Sequence, residues 1–174
     1  MFNVPILLII YNRTEETHNL FQIVRKIAPS QLYVAADGPN NNYWDDYRKC
    51  LRTRCVIKPE WKCEQHNLFC DEHLGKTQMT YQAINWFFEN VSEGIILFDD
   101  TLPHPDFFYF CEQLLEKYSK NENRKTKNEK KVCVIFLCEE FLFVVFCTIY
   151  RNVLVGQFSY NLHVSIHFVY FLRD

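Results

Sequence analysis

The sequence predicts an α/β chain, an open twisted and mostly parallel sheet flanked by helices. Three observations predict it. Continuous apolar runs recur at 4–10, 32–36 and 94–98, and uniformly apolar runs suit strands covered on both faces. Between them, apolar residues return at helical spacing. Each run then stops in polar residues: Tyr11-Asn12-Arg13, Asp37-Gly38 and Asp99-Asp100.

The first run, Val4 to Ile10, is too short for an export signal and lacks a basic leader, so it reads as a buried strand. Thr14 is placed to cap the helix that follows. Glu15 and Glu16 fall in its first turn, where the helix dipole favours acids. Leu20, Val24 and Ile27 line its inner face, and Pro29-Ser30 ends it. Residues 31–36 form the second strand, and Asp37-Gly38-Pro39-Asn40 is a strong turn sequence. A helix is expected from Asp45 to about Cys55 and a third strand from Trp61 to Phe69. A helix over Thr77–Asn90 turns Ala83, Ile84, Phe87 and Phe88 inward. The fourth strand spans 94–98, and Pro105 opens a helix carrying Phe108, Cys111, Leu115 and Tyr118. Such alternation implies right-handed crossovers and a ligand cleft beyond the carboxyl ends of the strands. Asn12, Asp37 and Asp100 are therefore expected to converge on one cleft.

After residue 118 the character changes. Residues 119–131 are rich in lysine and asparagine and read as a polar linker. Residues 132–174 are crowded with Phe, Val, Ile, Tyr and Cys, and Gly156 is their one strong turn residue. Residues 159–168 alternate polar and apolar, which predicts a strand. The expectation is an α/β unit at 1–118 followed by an aberrant or truncated apolar tail at 132–174. An AT-rich gene read out of frame gives that composition.

Composition excludes several classes. With a formal charge of −2 over 174 residues, the chain has no basic balance of the kind nucleic-acid binders carry. Four glycines leave no room for a glycine-rich phosphate loop. No run reaches the roughly 20 apolar residues of a transmembrane helix. Without an export signal, the eight cysteines are expected as reduced thiols in a cytoplasmic chain, with attachment at the membrane surface left open.

Asp99-Asp100 is the first chemical signal. Adjacent carboxylates at a strand end suit a hard cation such as Mg²⁺ or Mn²⁺ shared with substrate phosphates. The alternative is a solvated strand end. Lys76 could meet a phosphate at the start of its helix, or be a surface lysine. His104, between two prolines, is a candidate acid or base, or a turn residue. Cys63, His66, Cys70 and His73 have zinc-like spacings, but a strand there would put Cys63 and His66 on opposite faces.

Several segments, in order, resemble the donor-binding part of family 2-like glycosyltransferases, the nucleotide-diphosphosugar transferases. They are Val4 to Arg13, Val34 to Pro39, Leu68 to Gly75, Ala83 to Asn90, and Gly94 to Phe108 with its acidic pair and Leu-Pro. Together they cover roughly residues 4–118. The resemblance implies a Rossmann-like A-type glycosyltransferase fold, a nucleotide-sugar donor and a divalent cation, Mn²⁺ or Mg²⁺. By position it implies that Tyr11, Asn12 and Arg13 line the nucleotide pocket. Asp37 would sit near the base or ribose. Asp99 and Asp100 would supply ribose and metal contacts, Asp100 being the better ligand. The chain departs from the pattern at Phe98, where the family has an acid, at His73, where Asn is usual, and at Cys70, where a basic residue is common. No segment after residue 120 resembles the family's acceptor-binding half, so the fold is expected to be incomplete. Two functions follow. One is transfer of a sugar from a nucleotide-diphosphate donor to an unknown glycan, lipid or protein acceptor. The other is an inactive fragment or degenerate nucleotide-binding or interaction module without turnover.

Overall fold

The computed structural model describes residues 2–119 and, as backbone, four strands between 130 and 171. Strand β1 (Ile6–Ile10) leads through helix α1 (Thr14–Ile27) to β2 (Gln31–Ala36). Helix α2 (Asp46–Val56) leads to β3 (Glu64–Phe69), and α3 (Lys76–Asn90) to β4 (Ile95–Phe98). Helix α4 (Pro105–Ser119) follows. The four strands are all parallel in the order β3-β2-β1-β4, so the chain has a Rossmann-like α/β fold. The three apolar runs are neighbours, with Leu8 opposite Val34 on one side and Leu97 on the other.

The alternation along β1 explains why its sequence is apolar throughout. Ile6, Leu8 and Ile10 face a core completed by Leu20, Phe21 and Val24 of α1 and by Phe108, Cys111 and Leu115 of α4. Leu7 and Ile9 face a second core completed by Met79, Ala83, Ile84, Phe87 and Phe88 of α3. Both faces are covered, so no position on β1 can be polar without a buried unpaired group. Burying each such side chain fully contributes about 1.5–3 kcal/mol relative to exposure.

Strand β5 (Lys130–Cys138) joins β4 in parallel, with Ile95 opposite Cys133. Strands β6 (Phe141–Tyr150), β7 (Val153–Tyr160) and β8 (Val164–Phe171) continue the sheet as an antiparallel meander. The alternating stretch 159–168 is therefore not one strand, because β7 ends at Tyr160 and β8 begins at Val164. Of the expected linker, Ser119 closes α4 and Lys130-Lys131 opens β5; 120–129 lie outside the described residues.

Two local expectations change. Thr14 is the first residue of α1 rather than its cap; the N-cap is Arg13, and the Thr14 hydroxyl meets Thr53 of α2 at 2.9 Å. The third strand starts at Glu64, so Trp61 precedes it, its indole N–H donating to the Pro29 carbonyl at 2.8 Å. Helix α1 closes on Ala28, a non-glycine residue in the left-handed region with φ of 51°. Among the described residues no helix is long and apolar enough to cross a membrane.

Candidate functional site

A cleft of about 310 Å³ opens at the carboxyl ends of β1, β2 and β4. Tyr11, Arg13, Asp37, His73, Lys76, Phe98, Asp99 and Asp100 line it, above Ile9 and Ile10. Its volume is at the small end of the range for small-molecule sites. Parallel strands bring most of these residues together, because Tyr11, Asp37 and Asp99 each follow directly on a strand end.

Asp37 holds one wall. Its carboxylate accepts the backbone N–H groups of Gly38 at 2.8 Å, Leu74 at 2.8 Å and Gly75 at 3.0 Å. His73 Nδ1 lies 2.9 Å from the same group. These bonds tie the end of β2 to the start of α3, with Gly75 as the helix cap at a φ of 81°. Gly38 is required for the approach: a Cβ there would sit 2.3 Å from the Glu72 backbone.

The acidic pair forms the opposite wall. Asp99 is buried, and its Oδ2 accepts the Tyr11 backbone N–H at 3.2 Å. Burial pushes its carboxyl up to about 6, with the Asp100 charge adding to the rise and Arg13 opposing it. Asp100 is more exposed and takes Arg13 Nη1 at 3.1 Å; the same nitrogen is 3.9 Å from Asp99. Lys76 Nζ lies 5.9 Å from the centre of the Phe98 ring, a cation–π contact. The cleft thus sets two cationic side chains, Arg13 and Lys76, among three carboxylates, Asp37, Asp99 and Asp100.

Among the described residues, no three His, Cys, Asp or Glu side chains gather as a metal site. A Mg²⁺ ion commonly needs only one or two carboxylates when substrate phosphates complete its shell. Asp99 and Asp100 are the adjacent carboxylates that such an ion would meet in this cleft, one bonded to the Tyr11 N–H and the other paired with Arg13. The zinc-like set does not assemble. Cys63 packs with the α1 and α4 side of the sheet and Cys70 with the α3 side. His66 stacks on Tyr33 with ring centres 4.6 Å apart, and His73 is bound to Asp37. His104 is exposed beside Asp106 and does not line the cleft.

Of the three residues expected to converge, Asp37 and Asp100 line the cleft, and Asn12 sits beside it, turned to Asp46. Its amide donates to Asp46 Oδ1 at 2.5 Å. The cause is Asp46, a residue whose importance the sequence did not reveal. Asp46 is 2% exposed, and its Oδ2 also accepts the Tyr11 hydroxyl at 2.5 Å and the Asn40 N–H at 2.7 Å. Burial alone would raise its carboxyl, but the bonds from Tyr11, Asn12 and Asn40 outweigh it and hold the group below its ordinary value. Tyr11, in turn, is raised by burial and by the adjacent Asp46, and its ring stacks on His73 at 5.0 Å. In sequence Asp46 is one acid of a pair with Asp45, whose carboxylate pairs with Lys49 at 2.8 Å near the surface. Nothing in the residue types distinguishes the two.

Comparison of the chain with protein-family models, with curated proteins and with solved structures finds no match in any of the three.

Proposed function

We propose that the cleft binds a nucleotide-diphosphate sugar and that the chain is glycosyltransferase-like, transferring the sugar to a glycan, lipid or protein acceptor. One observation carries the reading: Arg13 and Lys76 share a strand-end cleft with Asp99 and Asp100. Cations suit a diphosphate, and carboxylates suit a divalent ion shared with it. In this reading Arg13 and Lys76 meet phosphate oxygens, Tyr11 borders the nucleoside, and Asn12 and Asp37 act by fixing the surrounding backbone and side chains. Asp99 faces the ribose. Asp100, with Asp99 behind it, would hold Mg²⁺ or Mn²⁺, which neutralises a departing diphosphate when bound.

Calorimetry with uridine diphosphate tests it. Binding should be tighter with Mn²⁺ than with a chelator, and Asp100→Ala should remove that difference. Metal-independent binding, or none, overturns the metal role or the nucleotide reading respectively. A second reading, a nucleotide-binding or interaction module without turnover, draws on Phe98, an apolar ring lining the cleft where the resembled family has an acid. Release of free sugar from a uridine diphosphate sugar favours the enzyme; binding without release favours the module.

A further inference from the structure

We infer that Asp46 is a positioning residue that presets the Tyr11 side of the cleft. The inference rests on the nucleotide-site reading for its consequence, but its geometry stands apart from any ligand. Asp46 lies at the start of α2 and does not line the cleft. Its carboxylate nevertheless ties three chain segments together: Tyr11 and Asn12 after β1, Asn40 in the turn after β2, and Cys50 one helical turn on, whose thiol is 3.9 Å away. Burial and the Asp46 charge push that thiol up to about 11, so it acts as a neutral donor.

The tie reaches the cleft through one ring. Tyr11 donates to Asp46 by its hydroxyl and lays its face on His73. His73 in turn contacts the Asp37 carboxylate and the Gly38 carbonyl, at 2.9 and 3.2 Å. Asp46, Tyr11, His73 and Asp37 therefore form a continuous row from α2 to the start of α3. A buried carboxylate accepting from several donors fixes all of them, because losing it leaves those donors unpaired. Without Asp46 the Tyr11 ring would lose the bond that sets its angle, and the His73 face would lose its cover.

Asp46→Ala removes the acceptor. Asp46→Asn keeps the shape: one amide oxygen can still accept from Tyr11 and Asn40 if the Asn12 amide turns over to present its own oxygen. Two measurements decide the matter. The first is the ¹³Cζ resonance of Tyr11 in protein labelled at tyrosine, assigned by its loss in Tyr11→Phe. It should move in Asp46→Ala and move less in Asp46→Asn. The second is a double-mutant cycle on the affinity for Mn²⁺–uridine diphosphate. Asp46→Ala and Tyr11→Phe should each weaken binding by about tenfold, and the double variant by little more than either, since the two act through one bond. An unmoved Tyr11 resonance in both Asp46 variants overturns the inference, as does a double variant near the product of the single losses. If Asp46→Ala does not fold, Asp46→Leu, close in shape and without an acceptor, carries both measurements. Wild-type protein that binds no nucleotide overturns the proposed function instead, and the resonance alone then decides the role of Asp46.

Discussion

Replacing Asp99 by asparagine should stabilise the protein at alkaline pH and do little at acid pH. Asp99 is buried, its side chain only 12% exposed, and its carboxyl is raised from 3.8 to about 6. A folded pKa above the unfolded one means the folded state binds the proton more tightly. The resulting stability is fully present below about pH 4 and is lost as pH rises through about 6. A shift of roughly two units is worth about 3 kcal/mol at most, counting about 1.4 kcal/mol per unit. An asparagine in its place would be neutral throughout, and its amide oxygen can still accept the Tyr11 N–H. Urea unfolding of both proteins at about pH 4.5 and about pH 8 measures the difference. The variant should gain about 2 kcal/mol relative to wild type between the two conditions, since part of the shift lies below about pH 4.5. A difference that stays constant within about 0.5 kcal/mol would refute the reasoning, because ionisation of Asp99 would then carry no folding cost.

Other expectations follow from single geometries. Ala28→Gly should raise the urea midpoint by an amount worth about 0.5–1 kcal/mol, because glycine adopts the left-handed cap without strain. Gly38→Ala should destabilise by about 1–3 kcal/mol in the same assay, since its Cβ meets the Glu72 backbone rather than a movable side chain. Arg54→Ala should cost about 1.5–3 kcal/mol by thermal or urea unfolding. It removes a charged donor to the Asp37 and Cys70 carbonyls, at 3.0 and 2.6 Å, and a cation over Phe69.

The sheet was legible because its signal is redundant. On β1 every residue from Ile6 to Ile10 is buried, so one strand announces both cores. Strand β3 was harder to bound, because it lies at the sheet's edge and its burial is mixed. Trp61 looks like strand sequence but is partly buried by packing against the α1 side of the sheet just before the strand begins. The cleft's outline followed from the strand ends, which is a rule about chain direction rather than residue type. What the sequence could not disclose was the second tier. Asp46 and Asn12 are 34 positions apart, and their pairing depends on where α2 sits. Thr14 had the chemistry of a cap, yet its hydroxyl turns to Thr53, because α2 lies against α1 there.

The Asp37 clamp has a consequence for how any ligand would be taken up. Its carboxylate already accepts three backbone amides across the junction of β2 and α3. That corner is therefore rigid before anything arrives, and an incoming molecule does not have to order it. Part of the entropic cost of association is met in advance during folding. An aspartate so placed would favour affinity by holding that wall in shape, and substituting it should show first as slower, weaker capture by a loosened wall.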